Sequence, residues 1–255
     1  MLQKQKRQEL YRGNMDKIFG RNAVLEAIKS GNRTINKIFI SKTAHGSNVG
    51  EIIKLARQNG IPVNNVPPEK LDKFEDTNTQ GVVAEVSTTD YVELSDLIKS
   101  LKDKKNALLL LLDSIEDPHN LGAIIRNAVA FGVDGVIVPK WRSATVNDTV
   151  SRTSAGAIEH IKIARVTNSS QAILELKEKG FWIIGAENGN KSIHETDIPF
   201  PAVLVVGSEG FGLHQKIKEK CDVIITIPQK NSISSMNVSC ASAVILYEIF
   251  RKQNI

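Results

Sequence analysis

Cysteine is nearly absent from this chain. Its 255 residues include two, Cys221 and Cys240, which is too few for a disulfide framework and not a metal-type spacing. The five histidines, His45, His119, His160, His194 and His214, are scattered, so no metal site is expected. Long apolar runs are missing too. The longest aliphatic stretch, Leu108–Leu112, falls far short of a bilayer span, and the basic tail Met1–Arg7 has no apolar segment of the signal-peptide kind. The expectation is a cytoplasmic chain with neither a membrane nor a metal as partner. Several glycine signatures are also absent. The turn at Asp113–Leu121 lacks G-x-G-x-x-G, and neither a G-x-x-x-x-G-K-[ST] loop nor a G-x-S-x-G elbow occurs. A standard dinucleotide fold is thereby excluded.

What is present suffices for a folded α/β protein. The apolar fraction is 41%, and the length allows one large domain or two smaller ones. A net charge of +5 is compatible with a nucleic-acid partner without requiring one.

The first half alternates short elements. Arg21–Ser30 has helical apolar spacing and stops at Gly31; Lys37–Ile40 is a strand; Glu51–Asn59 is helical; Ile61–Val66 is extended; Pro67–Phe74 is a short helix; Gln80–Val86 is a strand. The expected organisation is a flexible basic tail over 1–17, a small α/β domain over 18–88, a polar and charged connection over 89–106 containing one helix, and a larger domain over 107–255. The small domain carries no clustered acids or histidines, so it reads as a substrate gripper or a structural appendage.

The second half predicts a parallel sheet of about six strands with alternating helices. Ala107–Leu112, Gly135–Val138, Ile161–Val166, Phe181–Gly185, Val203–Val206 and Val223–Ile227 are the strands. Short β-branched runs bounded by turn residues read as buried parallel strands, and ligands in such sheets sit beyond the strands' carboxyl ends. That draws the loops 185–190, 207–212 and 228–237 to one rim. Any cofactor must therefore be held by the backbone of late loops. Asn120 stands where a helix cap belongs, and Arg126 falls on the first turns of the same helix.

Three stretches carry a family resemblance. Asp117-Pro118-x-Asn120-x-Gly122-x-x-x-Arg126-Asn127-Ala128, Val205-Val206-Gly207-Ser208-Glu209-Gly210-x-Gly212, and Ile227-Pro228 through Ser235-Met236-Asn237-Val238-Ser239 resemble, in order, the three motifs of the SpoU-type RNA ribose methyltransferases of the SPOUT class (TrmH family). Gly20-Arg21-Asn22 and Gln80-Gly81-Val82 look like the L30e-like RNA-binding domain of that family's 23S rRNA guanosine-2′-O-methyltransferase subgroup. The resemblance implies a SPOUT fold with a deep C-terminal trefoil knot, S-adenosylmethionine as methyl donor, 23S rRNA as substrate and an obligate homodimer. It assigns Gly185, Gly207, Ile227, Pro228 and Met236 to the donor, and Arg126, Asn120, Glu209, Ser235 and Asn237 to the reaction. Gln229, Asn231 and Met236 depart from the commonest third motif, where Met, Gly and Leu are usual. The alternatives are a tRNA ribose methyltransferase on the same fold and a non-catalytic RNA-binding protein of ribosome assembly.

Overall fold

The structure is a computed structural model and describes residues 15–72, 79–188, 191–230 and 236–253. In chain order the elements are β1 (Met15–Phe19), α1 (Arg21–Ser30), β2 (Ile35–Ser41), α2 (Ser47–Gln58), β3 (Val63–Val66), α3 (Pro68–Asp72) and β4 (Val82–Ser87). Then come α4 (Leu94–Lys99), β5 (Leu108–Leu112), α5 (Pro118–Ala130), β6 (Gly135–Pro139), α6 (Asp148–Thr153), β7 (Lys162–Val166), α7 (Ser169–Glu178) and β8 (Trp182–Ala186). The chain ends with β9 (Ala202–Val206), α8 (Gln215–Lys218), β10 (Val223–Ile225) and α9 (Val238–Gln253).

Two compact units divide the chain. Of the described residues, the first comprises those up to 89 together with 146–160, and the second those in 90–145 and from 161 on. In the first unit, β1, β4, β2 and β3 form a sheet in that order, antiparallel except for the β2–β3 pair. Its core is built from α1 and α2 (Val24, Leu25, Ile28, Ile52) against Ile38, Ile40, Val82, Ala84 and Val86. Strand β1 reaches back to Met15, into the segment expected to be tail.

Residues 146–160 lie in the sequence range expected for the larger domain, yet they cluster with the first unit. The reason is a buried polar network. Arg33, 9% exposed, pairs with Glu159 at 3.2 Å and with Asp16 at 2.8 Å, and it donates to the Ser87 carbonyl. Asn32 donates to the Glu159 carbonyl at 2.6 Å, and His160 meets Glu26 at 2.7 Å. At Gly156 (φ +86) a Cβ would come within 2.8 Å of the Glu26 Cβ and 3.1 Å of the Ala23 Cα, so only glycine permits the approach. Burial raises the Glu159 carboxyl above its ordinary range, with Arg33 opposing.

The second unit holds an all-parallel sheet in the order β10-β8-β9-β5-β6-β7. Every residue of β5 is 2% exposed or less, so helices cover both faces and no polar alternation is needed. On one face Leu109, Leu111, Val203 and Val205 meet Leu97 of α4 and Ala172, Ile173 and Leu176 of α7. Residues 90–106, whose composition suggested a connection, thus contribute Leu94 and Leu97 to this core. Strand β5 pairs in register with β9, Leu112 opposite Val206, and the Asp113 amide continues the ladder to the Val206 carbonyl. The first site loop, after β5, and the glycine loop after β9 therefore start side by side.

Candidate active site

The glycine loop after β9 is closed on itself. Ser208 and Gly212 exchange backbone hydrogen bonds of 3.1 and 2.9 Å. A Cβ on Gly207 would sit 2.1 Å from the Gly212 carbonyl oxygen, which no side chain can accept. Gly212 itself has φ +64, a conformation that favours glycine. The tight loop sets the floor of a cavity of about 420 Å³, within the usual range for a small-molecule site. Its walls come from the ends of β8, β9 and β10 and from the start of α9: Glu187, Glu209, Ile225, Ile227, Met236 and Ile245 among others. Apolar walls with the Glu209 carboxylate suit a ligand with a flat apolar body and a positive charge.

The expected donor residues divide. Gly207, Ile227 and Met236 line the cavity, whereas Gly185 and Pro228 are not among its lining residues. Gly185 is buried in β8, where a Cβ would come within 2.6 Å of Ile224 Cδ1 and 2.8 Å of Cys221 Sγ. Close packing explains this glycine. The loop just beyond it supplies Ala186, Glu187 and Asn188 instead. Pro228 is exposed. Ser235 and Asn231 lie outside the described residues.

Three of the expected reaction residues converge. Asn237 Nδ2 donates to Asn120 Oδ1 at 3.1 Å and to Glu209 Oε2 at 3.2 Å. Its Oδ1 accepts from the Ser239 amide at 3.0 Å and the Cys240 amide at 3.4 Å, capping the first turn of α9. One amide side chain thus starts a helix and ties two distant loops together. Asn120 is not the helix cap that its position suggested. Asp117 caps α5, accepting from the His119 amide at 3.0 Å, with Pro118 in the first turn. Asn120 is therefore free to face Asn237. Asn127 donates to the Ser239 carbonyl at 3.2 Å and holds α5 against α9.

Arg126 lies on α5 six residues beyond Asn120, about 9 Å further along the axis and about 240° around it. It is exposed, and no carboxylate pairs with it among the described residues. No hydrogen bond or ion pair joins Arg126 to the Asn120–Asn237–Glu209 group among the described residues.

Some cavity residues escaped sequence reasoning. Glu187 ion-pairs with Lys218, accepts from the Leu213 amide at 3.4 Å and packs against Gly212. The polar stretch after β8 was a visible signal, but not which of its side chains turns inward. Phe211 lines the cavity while 92% exposed. The apolar positions Val238, Ile245 and Ile249 of α9 are buried, and Ala241 lines the cavity. The exposed apolar residues of that helix are Val244, Tyr247 and Phe250. No three His, Cys, Asp or Glu side chains converge as a metal site among the described residues.

The parallel sheet whose late loops line the cavity is joined in this chain to a separate small α/β unit. Residues 107–247 match the SpoU rRNA Methylase family, and residues 17–92 match the RNA 2′-O ribose methyltransferase substrate binding domain. The chain belongs to the SpoU rRNA methylase family. It is 46% identical over 239 residues to a Staphylococcus saprophyticus protein named for the TrmH family tRNA/rRNA methyltransferases, covering 93% of this chain and 96% of the relative. Bacillus subtilis YacO, named in the same way, is 40% identical over 94% of this chain and 96% of its own. Among solved structures, the SpoU methyltransferase AviRb from Streptomyces viridochromogenes in complex with AdoMet has the same fold. Its TM-score is 0.79 at 24% identity, covering 98% of this chain and 93% of AviRb.

Proposed function

We propose that this methyltransferase moves a methyl group from S-adenosylmethionine to the ribose 2′-hydroxyl of a guanosine in 23S rRNA, acting as a cytoplasmic homodimer. The observation that carries the reading is the hydrogen-bonded group Asn120–Asn237–Glu209 beside a cavity lined by Gly207, Ile227 and Met236. The donor fits the cavity's chemistry: Ile225, Ile227 and Ile245 suit the faces of an adenine, and Glu209 suits the cationic end. When bound, the donor supplies a methyl on a sulfonium sulfur that leaves as a neutral thioether, so no metal is required.

The chain's own task is alignment and proton management. Good alignment alone is worth up to roughly 7–11 kcal/mol. Asn237 fixes Asn120 and Glu209 relative to each other, leaving the Asn120 Nδ2 as donor and the Glu209 Oε1 as acceptor to orient a ribose. Glu209 Oε2 accepts from Asn237, and the Glu209 carboxylate is the base that takes the ribose 2′-hydroxyl proton as the carbon–sulfur bond breaks and the carbon–oxygen bond forms. Arg126, a permanent cation, grips the phosphate next to the reacting ribose. Helical geometry sets Arg126 on a different side of α5 from Asn120, so in this reading the partner subunit supplies it in the homodimer. The exposed Val244 and Tyr247 of α9 offer an apolar face for that contact.

The test is transfer of labelled methyl to 23S rRNA and to tRNA, followed by mass spectrometry of the nucleosides. The expected product is 2′-O-methylguanosine in 23S rRNA. The names of the relatives, which include both RNAs, support tRNA as the second reading; methylation confined to tRNA would replace the first reading with it.

A further inference from the structure

We infer that the loop 140–144, with Trp141 at its tip, is a stacking platform for an unpaired nucleobase of the RNA substrate, flanked by two phosphate contacts. The inference rests on the RNA methyl-transfer reading above. Trp141 is 72% exposed, far beyond what an indole adopts by default in a folded chain. Lys140 and Arg142 on either side are exposed, and no ion pair to a carboxylate involves either among the described residues.

The loop is not loose chain. The Lys140 amide donates to the Val166 carbonyl at 2.8 Å, and Arg165 Nη2 donates to the Lys140 carbonyl at 3.3 Å. At the other end the Ala144 amide donates to the Ile115 carbonyl at 2.8 Å, and Ala144 is buried. That last bond ties the loop to the segment leading into α5, which carries Asn120. Strand β6 runs parallel to β5, so both loops leave the same rim of the sheet. The fold thus holds a large aromatic outward, on an anchored backbone, next to the reaction loop.

The chemistry favours RNA over protein as the occupant. Every base offers a π face, and aromatic stacking between cations is how single-stranded RNA is gripped without a sequence code. A protein contact would draw the lysine into an interface core, where lysine is disfavoured. Arg165 lies 5.0 Å over the Tyr91 ring and adds a third cation to the same side. The exposed Glu116 and Asp117 face solvent on the adjoining segment, and Asp117 is engaged in capping α5. Phosphates therefore run on the Lys140–Arg142 side.

The experiment uses the full chain. The protein has two tryptophans, so Trp182→Phe leaves Trp141 as the only indole. Titration with a short single-stranded oligoribonucleotide should quench its fluorescence in step with binding. Trp141→Ala should raise the KM for 23S rRNA roughly 5- to 100-fold, with donor affinity unchanged and Trp141→Phe restoring most of the loss. Lys140→Ala and Arg142→Ala should each lower the salt slope of binding by about 1. Methyl transfer by the wild type without quenching, or an unchanged KM in Trp141→Ala, would overturn the platform and leave the activity standing. A change of oligomeric state in Trp141→Ala would overturn it in favour of a protein contact. Quenching by RNA in a protein that transfers no methyl group would overturn the activity instead.

Discussion

Asn237 donates a 3.1 Å hydrogen bond to Asn120 across 117 residues of chain while its other amide atom caps α9. The two halves of that amide can be separated by substitution. In Asn237→Asp the capping oxygen survives, so stability should stay near wild type. The donating nitrogen becomes a second carboxylate oxygen facing Glu209, and the group breaks apart. Methyl transfer should fall by roughly two orders of magnitude or more, on the scale of losing one transition-state hydrogen-bonding group. Thermal unfolding and single-turnover transfer on the same preparation check this; retained activity would remove Asn237 from the reaction.

Two glycines of one loop should behave oppositely. Gly207→Ala places a methyl against the Gly212 carbonyl at 2.1 Å, whereas Gly210 has nothing within 4 Å of a Cβ. The first should cost about 1–3 kcal/mol from overpacking and weaken donor binding at least tenfold. Gly210→Ala should keep both properties. Calorimetric titration of the donor is the measurement, and equal behaviour of the two variants would show that the loop is not as closed as described.

If the partner subunit supplies Arg126, inactive chains should rescue each other. Arg126→Ala and Gly207→Trp homodimers should both be inactive. Their mixed dimer holds one site with an intact donor loop from one chain and an intact Arg126 from the other, and it should recover activity. No recovery in verified mixed dimers would confine the site to one chain.

The pair Arg33–Glu159 predicts a pH-dependent weakness. Burial raises the Glu159 carboxyl, so the folded state holds its proton more tightly than the unfolded state, and stability from this group falls as pH rises through the window above its ordinary value of 4.5. Arg33→Met removes the opposing cation and raises the carboxyl further. The variant should lose roughly 3–5 kcal/mol near neutral pH, and less near pH 5. Denaturant titrations at the two pH values measure it; an equal loss at both would show that Glu159 is not the group responsible.

The thiols should differ in reactivity. Burial, aided by Asp222, pushes the Cys221 thiol up to about 11, while Cys240 is exposed. At pH 8 only roughly one Cys221 in a thousand is thiolate. A thiol reagent should therefore label one site per chain, Cys240, in the native protein and two after unfolding. Two equivalents from the native protein would contradict the burial of Cys221.

Much of this protein is local and therefore legible in the residues. Leu108–Leu112 and Ala202–Val206 are aliphatic at odd and even positions alike, which only a strand covered on both faces tolerates, so the parallel sheet follows from the sequence. Helix α1 was legible to the residue, Arg21 to Ser30, because apolar spacing and Gly31 bound it. Gly207, Ile227 and Met236, singled out by the resemblance, are among the residues that line the cavity. Tertiary structure decided what depends on partners remote in the chain. Asn120 reads as a cap until Asp117 takes that role, and only then is its amide available to Asn237. The packing of Ile224 and Cys221 against Gly185 is likewise visible only in the fold. Residues 146–160 read as part of the larger domain until Arg33 and Asn32, more than a hundred residues earlier, claim Glu159. A capping preference or a strand period acts over a few residues. A hydrogen bond or a close packing contact depends on which distant side chain the fold delivers, and that is set only when the sheet order and helix faces are in place.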